Sequence, residues 1–133
     1  MHSTRPPRAE TWYLRLASYH IGYGDLSSAQ EVLEQVLKIS PGHIPARAMV
    51  GQIHLRKERV ADALALAALM QKEAPRSAAG FQLEGDALFA RKDFARAATA
   101  YQKAAALAPS GLMLSRIHQS LASEIGRAHA ELQ

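Results

Sequence analysis

The feature that most constrains this chain is the spacing of four of its six prolines. Pro7, Pro41, Pro75 and Pro109 follow one another at intervals of 34 residues. A fixed interval of this size, sustained along most of the 133 residues, indicates a series of equivalent supersecondary units. Because one such unit cannot bury its own apolar face, the units are expected to stack on one another.

Small residues recur with the same period. If units begin at residues 10, 44, 78 and 112, the eighth and twentieth positions hold Ala17, Gly51, Gly85, Ala29, Ala63 and Ala97. Small side chains let two helix backbones approach closely, and the closing proline ends the second helix because it lacks an N–H group. The pattern predicts an all-α fold with helices over residues 10–23, 26–39, 44–57, 60–73, 78–91, 94–107 and 112–125.

These columns resemble the tetratricopeptide repeat (TPR), a helical hairpin of 34 residues. The third unit carries the match best, through Phe81, Gly85, Ala97, Tyr101, Ala104 and Pro109. The resemblance implies a TPR-like α-solenoid, a right-handed superhelical stack of antiparallel helix pairs with about seven helices. It divides the chain into an N-terminal arm (1–9), three repeats (10–43, 44–77 and 78–111) and a partial fourth repeat or capping helix (112–133).

Several positions depart from the family pattern. Arg47 stands where an aromatic residue is usual, His20 and His54 stand where tyrosine is usual, and Glu84 replaces a leucine. The histidines are interpreted as packing residues, since no pair has metal-ligand spacing. The unusual Glu84 is expected to change the local packing of the third unit.

Both ends of the chain suggest an interrupted array. Pro7 occupies the closing position of a unit whose helices are not in the sequence, and Gly126 occupies the position of the turn residue Gly24. Gly126 is therefore predicted to end one helix and open another over residues 127–133. The chain is interpreted as a piece of a longer array, with a complete small protein as the alternative. In that alternative the last helix acts as a cap, with a single apolar stripe formed by Leu112, Leu114, Ile117, Leu121 and Ile125.

The first helix carries an aromatic face. Trp12, Tyr19 and Tyr23 are separated by seven and four residues, which places them on one side of a helix. Exposed apolar patches of this kind mark interaction surfaces. The three residues are predicted to form a self-association face, so a homo-oligomer through the terminal repeats is expected.

The sequence contains none of the motifs that carry catalysis or cofactor binding. There is no GxSxG, HExxH, GxxxxGK[ST] or strand-associated GxGxxG pattern, and cysteine is absent. We therefore predict a non-enzymatic protein with no catalytic residues, no metal site and no cofactor. No apolar run is long enough for a membrane span.

The TPR resemblance also implies a binding surface. In the family the first helices of the units line a concave groove, and their second, fifth, ninth and twelfth residues face it. In this chain the groove residues would be Thr11, Leu14, Ser18, Ile21, Pro45, Ala48, Gln52, Leu55, Ala79, Gln82, Asp86, Phe89, Met113, Arg116 and Ser120. This mostly apolar set predicts an extended or helical peptide partner.

Some TPR proteins hold the carboxylate tails of heat-shock chaperones with a basic clamp. The corresponding positions here hold Leu14, Ser18, Met49, Ala79 and Leu83, none of which is lysine, arginine or asparagine. Clamp binding is therefore not expected. A basic edge formed by Arg56, Lys57, Arg59, Arg91 and Lys92 is interpreted as solvated, because the net charge is only +4. Nucleic acid is not the expected partner, since no aromatic platform accompanies these charges.

Two kinds of function stay open. The first is a protein-interaction scaffold, and residues 78–125 weakly resemble the large TPR lipoproteins of bacterial exopolysaccharide and protein-sorting (PEP-CTERM) systems. The second is a sensor or regulatory domain of a signalling or nucleic-acid-associated protein. The sequence does not decide between the envelope or periplasm and the cytoplasm of a bacterium.

Overall fold

The computed structural model describes residues 9–133, and the first eight residues, which include Pro7 and nearly all of the predicted arm, lie outside the described residues. The described part of the chain is all-α and contains no strand. Its seven helices are α1 (Ala9–Gly22), α2 (Leu26–Ile39), α3 (Ile44–Arg56), α4 (Val60–Glu73), α5 (Ala78–Ala90), α6 (Phe94–Leu107) and α7 (Gly111–Glu131). The predicted fold class is confirmed, and α2, α4 and α6 have the predicted bounds. Between residues 9 and 133, no helix is both long and apolar enough to cross a membrane.

The chain packs as two compact units, one ending at Ile53 and the other running from His54 to Gln133. In the first unit α1 packs against α2, and Ala17 and Ala29, the small residues of the first repeat, are fully buried. Their burial agrees with the predicted close approach of the two helices. The remaining core residues of this unit are Leu33, Val36, Ala46 and Ile53.

The second unit is built on α4, α5, α6 and α7, each packed on the next. At its centre Gly85 of α5 lies directly against the ring of Tyr101 of α6, where an added Cβ would be only 2.6 Å from two ring carbons. The core also contains Leu88, Ala97, Ala100, Ala104, Met113 and Ile117. Glycine at the eighth position of this repeat is therefore required by the approach of an aromatic ring.

The unusual Glu84 is accommodated by a polar contact between α4 and α5. Gln71 Nε2 donates hydrogen bonds to the backbone oxygen of Gly80, at 3.2 Å, and to Glu84 Oε1, at 3.3 Å. The carboxylate thus has a partner at the place where the family uses leucine. The other departures, His20, Arg47 and His54, are half-buried.

The turns inside the three hairpins share one backbone conformation. Gly24, Glu58 and Lys92 have φ values of 78°, 60° and 64°, and they are separated by the 34-residue period. In the first hairpin Asp25 caps α2 by accepting a hydrogen bond from Ser28 N at 3.1 Å, and the hydrogen bonds from Ser28 hold the pKa of Asp25 below its usual value. The left-handed turn is therefore repeated even where the residue is not glycine.

The last helix breaks the period. The turn between α4 and α5 ends at the N-cap Ser77, whereas the turn between α6 and α7 ends at the N-cap Ser110, only 33 residues later. Ser110 Oγ accepts a hydrogen bond from Met113 N at 3.1 Å, so α7 begins one residue earlier than predicted. One residue fewer in the turn rotates the helix by about 100°, since a helix has 3.6 residues per turn.

This rotation overturns the predicted apolar stripe of α7. The buried residues of α7 are Met113, Ile117 and Ser120, and Ser120 Oγ donates a hydrogen bond to the backbone oxygen of Arg116 at 2.9 Å. The predicted stripe is wrong for four of its five members. Only Ile117 is buried, while Leu112, Leu114, Leu121 and Ile125 are exposed.

The predicted break at Gly126 is also wrong, because α7 continues through it to Glu131. No aspartate follows Gly126 to cap a new helix, unlike the Asp25 and Asp93 caps. Arg127 instead supports the helix through ion pairs with Glu124 at 4.0 Å and Glu131 at 3.5 Å. These i,i+3 and i,i+4 pairs favour continuation across an isolated glycine.

Candidate functional site

The predicted groove residues of the first unit differ in their exposure. Leu14 and Ile21 pack against the core of this unit. Thr11, Ser18 and Gln52 are exposed and Ala48 is half-buried. Leu14 and Ile21 therefore contribute to the stability of α1 as well as to its surface.

In the second unit one predicted groove residue is misplaced. Met113 is 3% exposed and belongs to the core, so it presents no side chain to a ligand. The cause is the shortened turn before α7, which moves every side chain of this helix one position along the repeat. Leu55, Gln82 and Phe89 are half-buried as a groove surface requires.

Asp86 and Arg116, which were predicted as two groove residues, lie against each other. Arg116 Nη1 on α7 donates a hydrogen bond to Asp86 Oδ1 on α5 at 2.7 Å, and Tyr101 Oη on α6 donates to the same oxygen at 2.5 Å. The guanidinium carbon of Arg116 also lies 5.9 Å from the centroid of the Tyr101 ring. Three helices are thus joined at a single carboxylate.

Burial makes this network a fixed element. The Asp86 side chain is only 8% exposed and that of Arg116 is 35% exposed. Burial, together with the hydrogen bond to Asp86, raises the pKa of the Tyr101 phenol, so that it stays a donor. Because the two charges neutralise each other, this part of the surface is much less charged than the sequence suggested.

The rotation of α7 brings different side chains beside the ion pair. Leu112 is 55% exposed, and Ser115 and Gln119 are also exposed. Leu112, Arg116 and Gln119 share one helix face, because they follow the i, i+4, i+7 spacing. We call the surface formed by Gln82 and Phe89 of α5 and Leu112, Ser115 and Gln119 of α7 the α5–α7 face.

The aromatic face of α1 is exposed as its sequence suggested. Trp12, Tyr19 and Tyr23 are all large exposed side chains, and the rings of Tyr19 and Tyr23 lie 4.7 Å apart. The three residues therefore form an accessible aromatic surface on the first unit.

A basic cleft lies at the turn between α5 and α6. It has a volume of about 560 Å³ and is lined by Arg91, Lys92, Asp93 and Arg127, and Arg127 Nη1 donates to the backbone oxygen of Lys92 at 3.3 Å. Arg127 was missed because the helix was expected to end before it. Its charge is offset by Glu124 and Glu131. No group of three or more metal-ligating side chains occurs between residues 9 and 133.

The helical hairpins, their buried small residues and their repeated turns define a helical-repeat protein. A family model for the tetratricopeptide repeat matches residues 20–86, half of the chain. The chain therefore belongs to the tetratricopeptide repeat family. No curated protein sequence matches it significantly.

Solved structures agree with this assignment. The Sgt2 TPR domain from Aspergillus fumigatus has a TM-score of 0.79 and 18% identity, covering 100% of this chain and 89% of that one. A thermophilic TPR protein in Thermus thermophilus has a TM-score of 0.78 and 20% identity, covering 93% and 70%. The first TPR of Spaghetti (RPAP3), solved with the HSP90 peptide SRMEEVD, has a TM-score of 0.74 and 13% identity, covering 86% and 94%. At these identities the likeness establishes the TPR-like α-solenoid fold.

Proposed function

We propose that this protein is a non-enzymatic interaction scaffold that binds a peptide segment of a partner protein on the α5–α7 face. The observation that carries the proposal is the Asp86–Arg116 ion pair, at 2.7 Å. Because the pair neutralises both charges, the neighbouring exposed Leu112 and half-buried Phe89 offer an apolar contact to a ligand. The solved Spaghetti domain with its bound peptide supports a peptide ligand for this fold.

The chemistry of the face favours apolar side chains on the ligand. Leu112 and Phe89 supply apolar area, while Gln82, Ser115 and Gln119 supply donors and acceptors for a peptide backbone. An acidic carboxyl-terminal peptide does not suit this surface, because Ala79 and Leu83 stand at the expected clamp positions and Leu83 is buried. The partner segment is therefore extended or helical, with apolar anchors.

A random peptide library displayed on phage provides the probe for this proposal. The full chain should enrich peptides with apolar anchors, and the exposed substitution Leu112→Lys should abolish their binding. Leu69→Lys on α4 is the matched control, since Leu69 is also an exposed leucine outside the α5–α7 face. Equal loss of binding in both variants, or enrichment of acidic peptides only, would contradict the proposal.

The biological setting that we propose is a bacterial envelope system for exopolysaccharide or protein sorting. The support for it is the weak resemblance over residues 78–125. The alternative is a regulatory TPR domain of a signalling or nucleic-acid-associated protein, for which the basic cleft at Arg91, Lys92 and Arg127 is the relevant surface. Affinity capture from a bacterial lysate should recover envelope components in the first case and transcription or translation components in the second.

The aromatic face of α1 is proposed as a self-association surface. Trp12 and Tyr23 are 66% and 77% exposed, which is more than a soluble monomer commonly leaves uncovered in one patch. The substitution Trp12→Glu should reduce any oligomer that forms through this face. A sedimentation profile that is unchanged by the substitution would contradict the role of this face.

A further inference from the structure

The exposed side of α7 has the pattern of a helix–helix interface. Leu114, Leu121, Ile125 and Leu132 are all exposed and are separated by seven, four and seven residues. His118 and Ala128 complete the series and are also exposed. This is a heptad pattern, with Leu114, Leu121 and Ala128 at one core position and His118, Ile125 and Leu132 at the other.

The equivalent face of α5 shows what such a surface contacts. Allowing for the shortened turn, Leu114, His118 and Leu121 correspond to Phe81, Gly85 and Leu88. Gly85 touches the Tyr101 ring of α6, and Leu88 and Phe81 belong to the same core. In the α5–α6 hairpin this face is therefore covered by a helix, whereas on α7 it is exposed.

The geometry points to a second copy of this chain as the occupant, with the two α7 helices pairing in parallel as a two-stranded coiled coil. Leucine at one core position and the β-branched Ile125 at the other favour parallel dimers, and one polar core residue, His118, fixes the register. The helix has 21 residues, or about 31 Å. It is already held against α6 by Met113 and Ile117, so pairing does not require the helix to form.

Charge complementarity selects the parallel arrangement. In a parallel pair Glu124 of one copy lies beside His129 of the other copy, five residues further along the flanking positions. An antiparallel pair in register with the stripe would place Glu124 opposite Glu124 of the other copy, which is repulsive. The interface uses neither the α5–α7 face nor the aromatic face of α1, so it can be tested separately from both.

Sedimentation velocity of the full chain over a concentration series tests this dimer. The wild type should form a dimer, and the double variant Leu121→Glu, Ile125→Glu should raise the dimer dissociation constant by about tenfold or more. Leu69→Glu is the matched control, since Leu69 and Leu121 are both 42% exposed. A wild type that stays monomeric, or a dimer that survives the double substitution and is lost with Trp12→Glu, would overturn the inference.

Disulfide trapping tests the orientation, because the chain has no cysteine of its own. Leu121→Cys alone should oxidise to a covalent dimer, since equivalent core residues face each other in a parallel pair. Leu69→Cys should remain monomeric under the same conditions. Trapping that occurs only in a mixture of Leu121→Cys with Ile125→Cys would indicate antiparallel helices and overturn the parallel arrangement.

Discussion

The carboxylate of Asp86 on α5 and the guanidinium of Arg116 on α7 lie 2.7 Å apart, although the two residues are 30 positions apart in the chain. Tyr101 of α6 donates to the same carboxylate. The ion pair therefore fixes α7 in its rotated position and closes the centre of the α5–α7 face. Three predictions concern the forces around this centre.

Removing one partner of the ion pair should destabilise the second unit. Arg116→Ala leaves the Asp86 side chain, only 8% exposed, without its cation and should lower the free energy of unfolding by about 3 kcal/mol. The double variant with Asp86→Ala should cost less than the sum of the single variants. Arg96→Ala, which breaks an exposed pair with Asp93, should change stability by less than about 0.5 kcal/mol. Urea unfolding measures all four, and equal effects of the Arg96 and Arg116 substitutions would contradict the structure.

The raised pKa of Tyr101 predicts a loss of stability in alkali. A phenol whose pKa is higher in the folded state stabilises the fold fully below the unfolded pKa of about 10, and this contribution is lost as the pH rises above that value. Wild-type stability should therefore fall more steeply above about pH 10 than that of Tyr101→Phe. Identical slopes in alkaline unfolding curves would show that Tyr101 is not held by burial and Asp86.

Two glycine substitutions should have opposite signs. In Gly85→Ala the new Cβ would meet the Tyr101 ring at 2.6 Å, so stability should fall by roughly 2 kcal/mol. In Gly126→Ala nothing lies within 4 Å of the new Cβ, and a mid-helix alanine should add up to about 1 kcal/mol. Thermal unfolding measures both changes, and destabilisation by Gly126→Ala would indicate a turn in place of the continuous α7.

The left-handed turns provide another test. Lys92 has φ 64°, a conformation that costs a non-glycine residue about 1–2 kcal/mol, so Lys92→Gly should stabilise the second unit by up to about 1 kcal/mol. Lys72→Gly in the last turn of α4 is the control and should be destabilising by about 1 kcal/mol at most. Denaturant unfolding that shows loss of stability in both variants would contradict the strain at Lys92.

Much of the fold could be predicted from the sequence because the period fixes it. Buried alanines such as Ala17 and Ala97 and the turn residues Gly24, Glu58 and Lys92 recur at one interval, so local and global signals agree. The α7 residues of the binding face were misassigned because Pro109 keeps the period and hides the missing residue after it. The available signal was Ser110, whose spacing from the capping Ser77 is 33.

The ion pair could not be predicted for a related reason. In the unshifted register Asp86 and Arg116 belong to separate ligand-facing positions, and only the rotated α7 brings the guanidinium onto the buried carboxylate. Likewise, Arg127 reaches the α5–α6 turn only because α7 continues past Gly126. Glycine is a weak helix breaker, and the flanking ion pairs decide its conformation here.

Cysteine accessibility along α7 tests the rotated register most directly. In this cysteine-free chain, Leu112→Cys and Gln119→Cys should react rapidly with a thiol reagent, while Met113→Cys and Ser120→Cys should be protected by on the order of 100-fold. These four positions lie outside the proposed α7 dimer interface, so self-association does not affect the comparison. Rapid labelling at 113 and 120 with protection at 112 and 119 would contradict the rotation and the α5–α7 face built on it.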